Sequence, residues 1–144
     1  PGLPPPCGQK GLTMPPHVLY VDDEDDLRIL VESHLAEEGY DVEVAADGRA
    51  ALGKIGGTPF DVILLDLHMP GMGGADVVAE LRRRNLHPPV VILTGDSSRE
   101  AELQCSLLGA AGLLKKPFSF GTLADAIRRA MKAARTGDAT PFKL

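Results

Sequence analysis

Cysteine is scarce in this 144-residue chain: there are two, Cys7 in a Pro- and Gly-rich opening and Cys105 within a helical pattern. So placed, they make no disulfide framework. Cys105 shares a helix face with Ala101 and Leu108, which reads as a small core residue. No apolar run approaches the ~20 residues needed to span a bilayer. The opening "PGLPPPCGQKGLT" has no charged segment followed by an apolar one, so it does not read as a signal peptide. Residues 1–15 are expected to be disordered linker or vector-derived tail, with Met14 a candidate natural start. Positive charge is short as well. The net charge of −5 argues against a general nucleic-acid or membrane surface. The basic runs "RRR" (82–84) and "RR" (128–129) read as solvated helix faces, and no helix-turn-helix pattern supports direct DNA binding. His17, His34 and His87 are scattered without metal-ligand spacing. A cytoplasmic domain with no nucleic-acid or membrane partner is the expectation.

What is present is a repeated pattern. Five short apolar runs occur: "HVLYV" (17–21), "DVEVAA" (41–46), "DVILL" (61–65), "VVIL" (90–93) and "AGLLK" (111–115). All but the second are nearly continuous, as in strands covered on both faces of a parallel sheet. Helical patterns separate them. Leu27, Leu30, Val31 and Leu35 mark the first, closed by Gly39. The others are expected over about 48–56, 74–85, 97–108 and 119–135. Strand and helix alternating five times predict an α/β, flavodoxin-like (βα)5 doubly wound domain over 16–136. Its five-stranded parallel sheet takes the order 2-1-3-4-5, with helices on both faces. Residues 137–144, "GDATPFKL", read as a C-terminal tail or linker too short to fold.

In such a sheet ligands bind at the carboxyl ends of the strands. The first strand ends at Asp22-Asp23, the third at Asp66, the fourth at Thr94 and the fifth at Lys115-Lys116. With the third strand central, Asp22, Asp23 and Asp66 converge, and Thr94 and Lys116 face them. Asp47, after the edge strand, is better explained as a helix cap. The five consecutive acids Asp22 to Asp26 divide between two jobs: a pair at the sheet edge, then a capping first turn from Glu24 to Asp26. Carboxylates about 4 Å apart repel by roughly 4 kcal/mol at an effective dielectric near 20, so three together call for a cation. The donors are all oxygen, which favours Mg²⁺. A carboxylate beside Mg²⁺ and an ammonium suits phosphoryl transfer, and carboxylates are established nucleophiles that give aspartyl phosphates.

Four stretches, "VLYVDDE", "DVILLDLHMPGMGG", "VVILTG" and "GAAGLLKKPF", resemble the response-regulator receiver domain of two-component signalling, and the likeness covers about residues 17–135. The resemblance implies a phosphorylation-dependent switch that is not a metabolic enzyme. It implies that Asp66 accepts a phosphoryl group from a histidine kinase or histidine phosphotransfer protein. It implies that Asp22, Asp23, Asp66 and the backbone carbonyl of His68 hold Mg²⁺. Lys116 would pair with the phosphoryl group, and Thr94 would hydrogen-bond to it. A cis Lys116–Pro117 bond and a downstream partner on the face of the fourth helix, fifth strand and fifth helix are implied too. Two positions depart from the family. Leu113 stands where an aromatic residue is usual, three before the site lysine, and Gly73 stands where an acid is frequent. The His68 ring reads as either an exposed loop residue or a screen against attacking water.

Two rival readings differ in class. An aspartyl-nucleophile phosphatase or phosphomutase needs a second acid for the leaving group, and "LHMPGMGGA" supplies none before Asp76. A receiver-like interaction module that takes no phosphate is disfavoured by the intact Asp66, Thr94 and Lys116.

Overall fold

The computed structural model describes residues 15–95, 99–138 and 140–144. All but the last residue of the expected N-terminal tail lie outside this set. Strands and helices alternate as β1 (His17–Val21), α1 (Asp25–Glu37), β2 (Asp41–Ala45), α2 (Gly48–Gly57), β3 (Val62–Asp66), α3 (Gly74–Arg83), β4 (Val90–Thr94), α4 (Arg99–Leu108), β5 (Gly112–Lys115) and α5 (Phe120–Thr136). A short β6 (Phe142–Lys143) follows. Every ladder is parallel, and the order is β2-β1-β3-β4-β5-β6.

Period-2 alternation along the central strands divides the core into two layers. Leu19, Val21, Ile63, Leu65 and Ile92 point to the side covered by α2, α3 and α4, where Ala51, Val77, Val78, Leu81 and Cys105 meet them. Val18, Tyr20, Val62, Leu64, Val91, Leu93 and Leu114 point the other way, toward Val31 and Leu35 of α1 and Leu123, Ile127 and Ala130 of α5. Residues of β3 and β4 are buried on both faces, as continuous apolar runs require. Cys105 is buried as expected, and burial pushes its thiol up to about 11.

One local expectation changes at the start of α1. The expected capping first turn of α1 runs from Glu24 to Asp26. Glu24 is indeed the residue before the helix, but its side chain makes no capping bond. Its carboxylate instead reaches Lys116, 2.9 Å away. Asp25 and Asp26 do occupy the first turn, where the dipole favours them. Asp47 caps α2 as expected, accepting from the Ala50 N–H at 2.8 Å.

The larger change is at the other end. The segment expected to be a free tail adds a sixth strand against β5. Phe142 N–H donates to Ala111 O, Leu144 N–H to Leu113 O, and Lys115 N–H to Leu144 O, at 3.1, 2.8 and 3.1 Å. The physical reason lies at Gly112: a Cβ there would overlap the Phe142 ring, so glycine leaves the ring its seat.

Candidate functional site

The sheet delivers its polar residues to one edge. Asp22 is the first residue beyond β1, Asp66 and Thr94 are the last residues of β3 and β4, and Lys116 is the first beyond β5. Because β3 lies between β1 and β4, the acids of β1 and β3 are neighbours. Carboxylate oxygens of Asp22, Asp23 and Asp66 all lie within 4.8 Å of one another. Asp22 and Asp66 are buried and Asp23 is exposed, so the cluster opens to solvent on one side. Thr94 is buried beside them, and its carbonyl accepts from the Lys116 N–H at 2.8 Å. The Lys116–Pro117 bond is cis.

Lys116 reaches back into the acids. Its Nζ lies 2.8 Å from Asp22 Oδ2, 2.9 Å from Glu24 Oε1 and 3.3 Å from Asp66 Oδ2. Asp22 is wholly buried and accepts from the Tyr20 hydroxyl at 2.8 Å and the Glu24 N–H at 3.1 Å. Asp66 accepts from the His68 N–H at 3.1 Å through Oδ1. The His68 side chain is exposed.

These contacts set the charges. Burial works to raise the Asp22 carboxyl, but hydrogen bonds from Lys116, the Glu24 N–H and Tyr20 hold it below its ordinary value. Asp66 stands above its ordinary value: burial raises it, the Lys116 charge and the His68 N–H work against the rise, and the Asp22 charge adds to it. Burial opposes the Lys116 charge, yet hydrogen bonds to Asp22 and Glu24 and the two aspartate charges hold its ammonium above the usual lysine value. The result is two differently poised acids beside a fixed cation. The carboxylate donors Asp22, Asp23 and Asp66 also fit a hard, oxygen-loving divalent ion such as Mg²⁺.

Three contributors escaped the sequence reading. Tyr20 shares a strand face with Asp22, being two residues earlier, and period-2 alternation was the signal that could have found it. Arg28 ties α1 to the site by donating from Nη1 to the Asp22 carbonyl at 2.9 Å. Gly74 lets α3 approach the end of β3, since a Cβ there would meet the Asp66 carbonyl oxygen at 2.7 Å. No sequence signal distinguished Gly74 from an ordinary turn glycine.

A flavodoxin-like sheet with acids and a lysine gathered at its carboxyl edge defines a CheY-like signalling domain. Comparison with known proteins makes the assignment specific. The family model for the response regulator receiver domain matches residues 18–128. The transcriptional regulatory protein TcrA of Mycobacterium tuberculosis is 35% identical over 111 residues, covering 77% of this chain and 44% of that protein. The response regulator SaeR of Staphylococcus aureus is 34% identical over 103 residues, covering 72% of this chain and 45% of that protein. The chain therefore spans less than half the length of these curated relatives. Among solved structures, the chemotaxis protein CheY4 of Vibrio cholerae superposes with a TM-score of 0.77 at 39% identity, covering 81% of this chain and 98% of that one. The response regulator TrrA of Thermotoga maritima, solved in complex with Mg²⁺ and BeF, superposes with a TM-score of 0.70 at 31% identity, covering 80% and 98%. The chain belongs to the response regulator receiver domain family.

Proposed function

We propose that Asp66 is the phosphoacceptor of a two-component relay and that a histidine kinase or histidine phosphotransfer protein is the donor. The observation that carries this reading is the position of Asp66, a buried carboxylate 3.3 Å from the Lys116 ammonium and in one cluster with Asp22 and Asp23. Asp22, Asp23, Asp66 and the His68 carbonyl would hold Mg²⁺, and the ion supplies neutralisation of the phosphoryl oxygens. An Asp66 oxygen attacks phosphorus in line. The new P–O bond forms as the donor's P–N bond breaks, and the electron pair leaves with the imidazole. Lys116 stays protonated and pairs with the charge that develops on the phosphoryl oxygens.

The output follows from Thr94. Its hydroxyl, at the end of β4, would bond to the phosphoryl oxygen and draw in the loop that begins at Gly95. A ligand shifts a two-state element only through contacts that differ between the states, and this is such a contact. The downstream partner reads the face of α4, β5 and α5. Leu103 and Leu107, one turn apart, are 58% and 70% exposed and give the outer side of α4 an apolar stripe. Leu113 is buried among the side chains of the α2–α4 layer and has less bulk than an aromatic ring, so β5 repacks over a smaller distance than in relatives that carry one. A cytoplasmic setting agrees with this chemistry.

Hydrogen exchange with Mg²⁺ and beryllofluoride, a phosphoryl mimic, tests the reading. Protection is expected to rise from Gly95 through α4 in wild type and to change much less in Thr94→Ala. Identical profiles in the two proteins would remove Thr94 from the switch.

A further inference from the structure

The outer edge of β5 is not left open. Residues 142–144 run parallel to it and form three backbone hydrogen bonds with Ala111, Leu113 and Lys115. The side chains add a recognition pattern. The Phe142 ring fills the space above Gly112 that any other residue's Cβ would take. Lys143 Nζ pairs with Glu102 Oε2 of α4 at 2.8 Å. Leu144, like Phe142, packs against the α1–α5 core layer. Beside the added strand, a cleft of about 340 Å³ lies between Glu102, Cys105 and Ser106 of α4, Leu113 of β5 and the segment from Pro141 to Lys143. Edge strands with unpaired N–H and C=O groups are templates for another chain. Here the template is formed, carries a glycine seat and an acidic neighbour, and is covered by only two residues of regular strand.

We propose that the β5 edge is a strand-docking surface for an extended aromatic–basic–aliphatic segment of a partner protein, which residues 142–144 occupy in cis until that partner displaces them. The ladder supplies affinity, while the Gly112 seat and Glu102 supply selectivity, as in other cases of strand addition. Tethering gives the cis segment a high effective concentration, so an external segment of the same sequence competes poorly unless the cis strand is weakened. The β5 edge belongs to the face assigned above to the downstream partner and rests on that reading, while the test below needs no phosphate on Asp66.

The test uses the full chain and NMR-detected hydrogen exchange, with the Lys115 amide as reporter because it donates to Leu144. Phe142→Ala removes the ring, and Lys143→Glu places like charge against Glu102 without touching the core. Each is expected to speed Lys115 exchange at least tenfold and to leave the Leu64 amide of the central strand unchanged. An acetylated, amidated TPFKL peptide in excess is expected to restore Lys115 protection in Phe142→Ala and to do little to wild type. A TPAKL peptide is expected to restore nothing. Unchanged Lys115 exchange in both variants would overturn the cis contact. Faster exchange that TPFKL fails to reverse would overturn the docking surface. Wild-type protection that rises with protein concentration would assign the strand to a second copy and overturn the cis arrangement.

Discussion

Removing the Lys116 ammonium should destabilise the metal-free protein far more than losing an ordinary surface lysine. Nζ lies 2.8 Å from the wholly buried Asp22 and 3.3 Å from Asp66. At an effective dielectric near 20 these contacts are attractive by about 6 and about 5 kcal/mol, against a repulsion of at least about 3.5 kcal/mol between two carboxylates no more than 4.8 Å apart. Desolvation of the lysine cancels much of that gain, and the Glu24 contact, with Glu24 61% exposed, adds less than about 1 kcal/mol. Breaking a buried pair by deleting one partner costs about 3–5 kcal/mol. Lys116→Met is therefore expected to lose about 3 kcal/mol in the presence of chelator, a fall in Tm of roughly 10 °C for a domain of this size. A divalent cation then supplies the missing positive charge. Saturating Mg²⁺ should stabilise the variant more than wild type and narrow the gap. Urea unfolding followed by circular dichroism, with Mg²⁺ and with chelator, measures both quantities. A variant as stable as wild type in chelator, or a gap that Mg²⁺ leaves untouched, would refute the electrostatic reasoning.

Other consequences can be checked alongside. The folded Asp66 carboxyl titrates above its ordinary value of 3.8, so ionising it weakens the metal-free fold. Asp66→Asn should thus be more stable than wild type in chelator near neutral pH, with the advantage shrinking as pH falls and absent once both states of Asp66 are protonated; denaturation across the pH range reads this out. Asp23→Ala should weaken Mg²⁺ binding, measured by calorimetry, because Asp23 belongs to the three-carboxylate cluster; unchanged affinity would take Asp23 out of the metal site. Gly74→Ala should cost about 1–3 kcal/mol, since its Cβ would press on the Asp66 carbonyl oxygen and the Leu67 Cα, and helix α3 cannot back away without stretching the 3.1 Å bond from the Gly74 N–H to the Leu67 carbonyl.

Much of this architecture was legible because it rests on periodic signals. Continuous apolar runs identified β1, β3, β4 and β5 to within a residue or so, since strands buried on both faces admit nothing else. The rule that ligands gather at strand carboxyl ends then placed Asp22, Asp23, Asp66, Thr94 and Lys116 at one edge without any knowledge of side-chain geometry. What escaped was non-periodic. Glu24 was assigned to capping by its position in the chain, yet its carboxylate answers to Lys116, 92 positions away in sequence. Tyr20 looked like one more apolar strand residue, and only its hydroxyl contact to Asp22 shows its second character. β6 was unreadable for a related reason. Two residues carry no period, and the feature that holds them, the missing side chain of Gly112, sits on a different strand.

The central claim is that Asp66 is the residue that takes the phosphoryl group. Incubation of the full chain with acetyl phosphate and Mg²⁺, followed by intact mass and borohydride trapping of the acylphosphate, tests it most directly. One phosphoryl group is expected, mapped to Asp66, with none in chelator and none in Asp66→Asn. Labelling of Asp66→Asn to the same extent as wild type, or trapping at any other residue, would contradict the assignment.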